Sequence, residues 1–195
     1  MSAPLLRRRE VAATLLAGRG EMLVVTGLGS PTYDAAAAGD HDLNFYLWGA
    51  MGGAAVMGLG LALAQPRRRV LALTGDGEML MGLGSLATIA AQRPENLAVV
   101  VLDNERYGET GMQPTHTALG ADLAGVAASC GIETVRTVRD LAGVDALARL
   151  VREGRGPIFG VVKVDAEKLP LVLPARDGTW LKHRFRAALL GSATG

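Results

Sequence analysis

The sequence contains a single cysteine and no excess of charge of either sign. Cys130 is the only cysteine among 195 residues, so no disulfide can form within the chain and we expect a reducing, cytoplasmic environment. A formal net charge of +1 gives no field that would recruit nucleic acid or an acidic membrane surface. The triplets Arg7–Arg9 and Arg67–Arg69 are too short to change this, and we interpret them as solvated ends of structural elements.

The sequence also shows no signal-peptide pattern, no internal repeat and no low-complexity linker. Its first residues, MSAPLLRRREVAATLLAGRG, place arginines directly after the first leucines, which favours a first helix over a signal peptide. One uncharged run, Leu43–Gln65, is long enough to resemble a transmembrane helix. Its glycines, its start in a loop-like segment with Asn44 and aromatics, and its position between strand-like segments favour a helix that covers a sheet. We therefore expect no membrane partner and no nucleic-acid partner.

Apolar runs of strand length alternate with segments of helical periodicity. The strand-like runs are Met22–Thr26, Val70–Thr74, Leu97–Asp103, Glu133–Arg136 and Ile158–Val164. The helix-like segments are Leu5–Ala17, Gly52–Ala64, Met79–Ala91, Leu119–Ser129 and Leu141–Val151. This alternation predicts an α/β fold, a doubly wound parallel sheet with helices on both faces. We expect one domain over residues 1–176 and a C-terminal amphipathic tail over residues 177–195.

Two polar residues follow neighbouring predicted strands. Asp76 stands between two glycines after the strand Val70–Thr74, and Asn104 follows the strand Leu97–Asp103. Parallel strands joined by one helix end at the same edge of a sheet, where open α/β folds bind ligands. Carboxylate and amide oxygens beside a helix N-terminus suit an Mg²⁺ ion that bridges to a diphosphate, with the carbonyl of Arg106 as a candidate third ligand. Either residue alone could simply cap a helix or start a turn; the pair favours the metal site.

The motif GDG, followed by a helix, a strand and Asn104, resembles the cofactor signature of thiamine diphosphate enzymes. The segments NFYLWGAMGGAAVMGLGLAL, GDGEMLMGLGSLATI and DNERYGETGMQPTHT, in this order, resemble the decarboxylases of this family that act on sulfopyruvate and phosphonopyruvate. The resemblance covers roughly Met22 to Val164. It implies a 2-oxo-acid decarboxylase with thiamine diphosphate and Mg²⁺ as cofactors, in which Asp76, Asn104 and Arg106 hold the metal.

The resemblance also implies individual contacts. In WGAMG, the Gly49 carbonyl would accept a hydrogen bond from the 4′-amino group of the cofactor. Met51 would support the bend between the two rings of the cofactor; an ordinary core position is the alternative for Met51. In the loop TGLGSP, Gly29 and Ser30 would form a second wall of the diphosphate site. The remaining expected cofactor contacts are Gly75, Asp76, Gly77, Glu78, Asn104, Arg106, Tyr107 and Gly108.

Three candidate catalytic residues follow in YGETGMQPTH, just beyond the expected metal site. Glu109, Gln113 and His116 lie in a segment that could reach a substrate. A solvated surface position is an equal alternative for His116.

The expected site is only half of an active site. Thiamine diphosphate enzymes activate the cofactor with a glutamate from a separate pyrimidine-binding domain, and the sequence contains no second domain of that kind. The resemblance therefore implies a hetero-oligomer in which a pyrimidine-binding (alpha) subunit completes the site. Two alternatives stay open: a subunit of another thiamine diphosphate-dependent carboligase or lyase, and a non-catalytic diphosphate-binding module.

The substrate implied by the resemblance is a small 2-oxo acid with a second anionic group, a sulfonate or a phosphonate. The residues of this chain that could bind this anionic group are Arg106, His116 and the basic cluster Lys182–Arg186 in the tail. The tail, DGTWLKHRFRAAL, either binds an anionic substrate or a partner, or forms an amphipathic helix with its charges in water.

Overall fold

A sheet of six parallel strands organises the chain. The computed structural model describes residues 5–191. The strands are β1 (Leu23–Thr26), β2 (Asn44–Tyr46), β3 (Val70–Gly75), β4 (Leu97–Asp103), β5 (Arg106–Tyr107), β6 (Gln113–Pro114), β7 (Thr134–Val138) and β8 (Ile158–Lys163). The large sheet has the order β2-β1-β3-β4-β8-β7 with every neighbouring pair parallel, and β5 and β6 form a separate antiparallel hairpin.

Helices cover both faces of this sheet. They are α1 (Arg8–Leu16), α2 (Ser30–Ala37), α3 (Ala54–Ala64), α4 (Asp76–Met81), α5 (Ser85–Gln92), α6 (Leu123–Ser129), α7 (Leu141–Glu153) and α8 (Gly178–Leu190), with a 3₁₀ turn at His116–Leu119. Helices α1, α2 and α7 pack on one face, and α3 to α6 pack on the other. Alternate residues of β4 point to opposite faces, so that Val100 joins the first core and Val99 the second. The predicted doubly wound α/β fold is confirmed.

The order of the strands brings the predicted site residues together. Strands β3 and β4 are direct neighbours, with Gly75 paired to Leu102. Asp76 and Asn104 therefore leave adjacent strands at one edge of the sheet, as the sequence predicted. Strand β1 pairs with β3 on the other side, which places the β1–α2 loop at the same edge.

Several local predictions were wrong. The segment at Asn44, expected to be a loop, forms β2, whose three residues are too few to show a periodicity. The helix expected over Met79–Ala91 is two helices, α4 and α5. At the break between them, Gly82 approaches the Gly52 carbonyl so closely that a Cβ on Gly82 would collide with it. The helix expected from Leu119 begins at Leu123. Helix α2 was not predicted.

The arginine triplets are not simply solvated. Arg8 is 6% exposed and is paired with the fully buried Asp34. Arg69 donates to the carbonyls of Val151 and Gly154 at the end of α7. The interpretation of both triplets as solvated element ends is therefore wrong for these two residues.

The tail packs against the edge of the sheet. Leu181 and Phe185 of α8 are buried, and the Phe185 ring meets Phe45 edge to face with 5.9 Å between centroids. Arg184 donates to Asp40 at 2.6 Å, whereas Lys182, His183 and Arg186 are exposed. Helix α8 thus covers the edge strand β2 and removes an unpaired edge from solvent. Within residues 5–191, no helix combines the length and the apolar character needed to cross a membrane.

Candidate functional site

A cavity of about 250 Å³ opens at the carboxyl edge of the sheet, where β1, β3 and β4 end. Its wall contains most of the residues expected to contact the cofactor, and one of the expected catalytic residues. These are Ser30, Met51, Gly75, Asp76, Gly77, Glu78, Asn104, Arg106, Tyr107, Gly108 and Glu109. The fold therefore gathers into one volume side chains that the sequence spreads over 80 positions, from 30 to 109.

Four expected site residues lie outside this wall. Gly29 caps α2 with φ at +77° and faces Glu109, whose carboxylate a Cβ on Gly29 would approach to 2.9 Å. His116 is exposed and lines a shallower depression beside the cavity. Gly49 is exposed with φ at +78°. Gln113 is also exposed and donates to the carbonyl of Thr110 at 2.9 Å, so its role in catalysis stays a prediction.

Asp76 is one of two buried carboxylates in the cavity wall; Glu78 is the other. Asp76 is 2% exposed at the start of α4, and its Oδ2 accepts a hydrogen bond of 2.5 Å from the Thr115 hydroxyl. Burial raises the pKa of Asp76 to about 6; the Thr115 hydroxyl opposes this and the charge of Asp103 adds to it. A divalent cation bound beside Asp76 would lower this raised pKa, because a nearby positive charge favours the ionised carboxylate.

A second layer of polar groups supports Asp76 from behind. The Thr117 hydroxyl lies 2.8 Å from Oδ1 of Asp103 and 3.2 Å from Oδ2 of Asp76. Asp103 in turn forms an ion pair with Lys163 at 2.7 Å. Asp103 thus has a cationic partner, which it shares with Glu105, whereas Asp76 forms no ion pair with any residue that the structure describes.

Asn104 occupies a tight turn after β4. Its Oδ1 accepts from the backbone N–H of Arg106 at 3.0 Å, and Glu105 between them has φ at +61°. Asn104 therefore forms the turn and also lines the cavity, so its position in a turn does not prevent it from binding a ligand. Among residues 5–191, no group of three or more His, Cys, Asp or Glu side chains could hold a metal ion. A metal bound at Asp76 would therefore depend on amide, carbonyl and ligand oxygens in addition to that carboxylate.

Glu78 ties two loops of the cavity together. It is 4% exposed, and its carboxylate accepts from the backbone N–H of Leu28 at 2.8 Å and of Ala54 at 3.3 Å. Burial raises its pKa, and the N–H groups of Ala54 and Leu28 partly offset this. A Cβ on Gly27 would collide with this carboxylate. Glu78 therefore fixes the β1–α2 loop to the start of α3.

Two aromatic side chains flank the cavity. A Cβ on Gly77 would lie 2.5 Å from the ring of Tyr107, so the absence of a side chain at position 77 allows this packing. The hydroxyl of Tyr33 donates to Glu109 at 3.4 Å. Burial, together with the charge of Glu109, raises the pKa of Tyr33.

Several residues of the site carry no clear signal in the sequence. Thr115 and Thr117 flank His116 in QPTHT, and no local pattern marks their hydroxyls as buried. Arg8 lines the cavity but lies 68 positions before Asp76, so only the tertiary fold reveals its proximity. Tyr33 lies in α2, the helix that was not predicted.

Comparisons with known proteins agree on one family. Residues 28–162 match the family described as "Thiamine pyrophosphate enzyme, C-terminal TPP binding domain". The sulfopyruvate decarboxylase subunit beta of Methanothermobacter thermautotrophicus is 42% identical over 188 residues, which are 96% of this chain and 98% of that protein. The phosphonopyruvate decarboxylase of Streptomyces viridochromogenes is 40% identical over 169 residues, 84% of this chain and 41% of that protein.

The fold is similar to a solved structure as well. An X-ray structure from Mycobacterium smegmatis, described as a thiamin diphosphate-dependent enzyme, superposes with a TM-score of 0.71. The match covers 83% of this chain and 32% of that chain at 24% sequence identity. At this identity the likeness shows the shared fold alone.

Proposed function

The chain belongs to the thiamine pyrophosphate enzyme family, as its motifs predicted, and we propose that it is the cofactor-binding subunit of a two-chain 2-oxo-acid decarboxylase. The observation that carries this proposal is the placement of Asp76 and Asn104 in one cavity beside three loops of the carboxyl edge. The near-complete match in length with a beta subunit supports the subunit assignment. The substrates named for its relatives, sulfopyruvate and phosphonopyruvate, support a dianionic 2-oxo acid as the substrate.

The residues of the cavity fit thiamine diphosphate and Mg²⁺. Asp76 offers a carboxylate whose burial makes a cation favourable there, and Asn104 adds an amide oxygen. Gly75 and Gly77 leave the backbone open to a diphosphate. When bound, the cofactor supplies the electron sink that loss of carbon dioxide from a 2-oxo acid requires.

Three side chains of this chain would support the cofactor, transfer a proton or fix the loops of the site. Met51, 36% exposed at the cavity wall, supports the organic part of the cofactor. Glu109 faces the cavity within reach of the Tyr33 hydroxyl, so it can hold or transfer a proton there. Glu78 serves the site indirectly, because its hydrogen bonds fix the loops that carry Leu28 and Ala54.

The proposed partner is a pyrimidine-binding subunit, which supplies the glutamate that acts on the pyrimidine ring of the cofactor. The two glutamates of this cavity wall, Glu78 and Glu109, belong to the proposed diphosphate side. Apolar side chains around the start of α3 are available for such a contact: Met51, Val56 and Met57 are between 36% and 46% exposed. We expect the surface of residues 44–57 to become protected when the subunits assemble. A cytoplasmic location is proposed for the assembly, in accord with the free thiol of Cys130.

The test is reconstitution with the partner subunit. The pair should release carbon dioxide from sulfopyruvate or phosphonopyruvate with a higher kcat/KM than from pyruvate, and the chain alone should show little turnover. The matched control is the pair carrying Asp76→Ala, which should lose magnesium-dependent cofactor binding and activity together. Full turnover by the chain alone would contradict the two-chain proposal. Carbon–carbon bond formation between 2-oxo acids, without net release of an aldehyde, would favour the carboligase alternative.

A further inference from the structure

Arg8 is a buried cation in the wall of the cavity that holds Asp76. It begins α1, is 6% exposed, and shares the cavity wall with Ser30 and Val164. A guanidinium this deeply buried is uncommon unless it is paired or binds a ligand. The hydrogen-bond partners of Arg8 therefore show whether any of its N–H donors stays free to bind a ligand in the cavity.

Two contacts hold the Arg8 guanidinium in place. Its Nε donates to Oδ2 of Asp34 at 2.7 Å, and its Nη1 donates to the carbonyl of Glu167 at 2.6 Å. Asp34 is fully buried in α2, four residues after Ser30. The Nη2 group donates to no residue in the part of the chain that the structure describes. One edge of a fixed guanidinium is thus available to a ligand.

Arg8 and Arg9 share the single carboxylate of Asp34, while the cavity wall itself carries the carboxylates of Asp76, Glu78 and Glu109. Arg9 also approaches Asp34, with Nε 3.4 Å from Oδ1, so two guanidinium groups share one carboxylate. Arg9 directs its Nη2 to the carbonyl of Pro170 and does not line the cavity. Arg8 is therefore the one of these two guanidinium groups that lines the cavity.

The start of α2 lines the same cavity as Arg8. Ser30 is the first residue of α2 and lies in the cavity wall, whereas Pro31 has no N–H group and the N–H of Thr32 donates to the Gly29 carbonyl at 3.0 Å. The positive end of the helix dipole and the guanidinium thus act on the same volume. The other cation of the wall, Arg106, is only partly buried and donates to the carbonyl of Glu105.

A buried diphosphate at this edge would require such a cation. A magnesium ion offsets two of its charges, but the carboxylates of Asp76, Glu78 and Glu109 lie in the same wall and oppose a further anion. We propose that Arg8 binds the terminal phosphate of the cofactor through Nη2, beside the start of α2. This inference rests on the proposed cofactor and deepens it, because it adds a residue of α1 to the residues, Asp76 and Asn104, that would hold the metal and the diphosphate.

The test compares thiamine diphosphate with thiamine monophosphate, which lacks the terminal phosphate. Calorimetric titration of the two-subunit complex at saturating Mg²⁺ would give both affinities for the wild type and for Arg8→Gln. We expect the variant to bind the diphosphate about 10- to 100-fold more weakly, the loss of one charge-assisted hydrogen bond. Its affinity for the monophosphate should change by less than about threefold.

Two matched variants separate binding from structural support. Arg9→Gln removes the other partner of Asp34 without touching the cavity, so it should leave both affinities within about threefold of the wild type. Asp34→Asn removes the carboxylate that competes for Arg8, so diphosphate binding should be retained or tightened. Where Arg8→Gln unfolds because Asp34 is left unpaired, Arg8→Gln/Asp34→Asn removes both charges and should reproduce the selective loss.

Three results would overturn the proposal. The first is an equal loss of both affinities in Arg8→Gln, which would make Arg8 only a support of the fold. The second is unchanged cofactor affinity with a raised KM for sulfopyruvate but not for pyruvate, which would assign Arg8 to the substrate. The third is a wild-type complex that binds no thiamine diphosphate with Mg²⁺, which would remove the proposed function as well; the first two leave that function intact.

Discussion

Thr115 donates a hydrogen bond of 2.5 Å from its hydroxyl to Oδ2 of Asp76, and both side chains are buried. The donor lies directly after the β5–β6 hairpin, and the acceptor begins α4. The bond therefore joins the hairpin to the turn that carries the proposed metal ligand. A carboxylate held in this way presents its remaining lone pairs to the cavity in a fixed direction.

Thr115→Val should weaken magnesium-dependent cofactor binding by about tenfold, because an isosteric side chain removes the hydrogen bond without opening a cavity. The measurement is calorimetric titration of thiamine diphosphate at several Mg²⁺ concentrations. Thr137→Val is a suitable control, since Thr137 is exposed on the edge strand β7. Equal affinities for the two variants would show that Thr115 does not orient Asp76.

The main part of the fold could be predicted because its strands are continuous apolar runs. Strand β4 matches its predicted range, Leu97–Asp103, and β3 exceeds its range by one residue. Such strands are buried on both faces and need no periodicity to be recognised. Strand β2 and helix α2 lack this signal, because β2 has three residues and α2 follows a glycine turn that reads as a loop.

The proposed metal pair was predictable for a similar reason. Asp76 and Asn104 stand at the ends of recognisable strands, so topology alone brings them to one edge. Thr115 reaches Asp76 from the end of a hairpin, and Arg8 reaches the cavity from the first helix; neither element pairs with β3 or β4. Their positions depend on side-chain packing between distant segments, which local sequence patterns do not encode.

Asp76→Asn should stabilise the unliganded chain at neutral pH. Because burial raises the pKa of Asp76 from 3.8 to about 6, the folded state binds this proton more tightly than the unfolded state. The stabilising contribution is complete at low pH and is lost as the pH rises through about 6. Above that pH, the ionised carboxylate costs at most about 3 kcal/mol of unfolding free energy, which the amide avoids.

The measurement is urea unfolding of both proteins without metal or cofactor. The variant's advantage in unfolding free energy should be larger near pH 7.5 than near pH 4.5. The same variant should lose magnesium-dependent cofactor binding, since a neutral amide replaces the charged ligand. An unliganded variant that is no more stable than the wild type at neutral pH would contradict this account of Asp76.

Arg69→Met should destabilise the fold without affecting the cavity. Arg69 donates to the carbonyls of Val151 at 2.5 Å and Gly154 at 2.7 Å, so it satisfies acceptors at the end of α7. Its loss should lower the unfolding free energy by about 2–4 kcal/mol. Thermal unfolding measures this effect, and Arg67→Met, at an exposed position, is the matched control. Loss of cofactor affinity in a folded Arg69→Met protein would contradict a purely structural role.

Gly77→Ala should weaken cofactor binding strongly but lower the stability of the fold only slightly. The new Cβ would lie 2.5 Å from Cε1 of Tyr107, so the ring must move, and its displacement changes the cavity wall. Because a ring at the end of a side chain can swing aside, we expect only about 1–2 kcal/mol of lost stability but a more than about tenfold loss of cofactor affinity. Gly84→Ala introduces the same methyl group where no atom lies within 4 Å, so it should change neither quantity. Calorimetric titration measures the cofactor affinity of both variants, and urea unfolding measures their stability. Equal cofactor affinities would mean that the contact between Gly77 and Tyr107 does not shape the site.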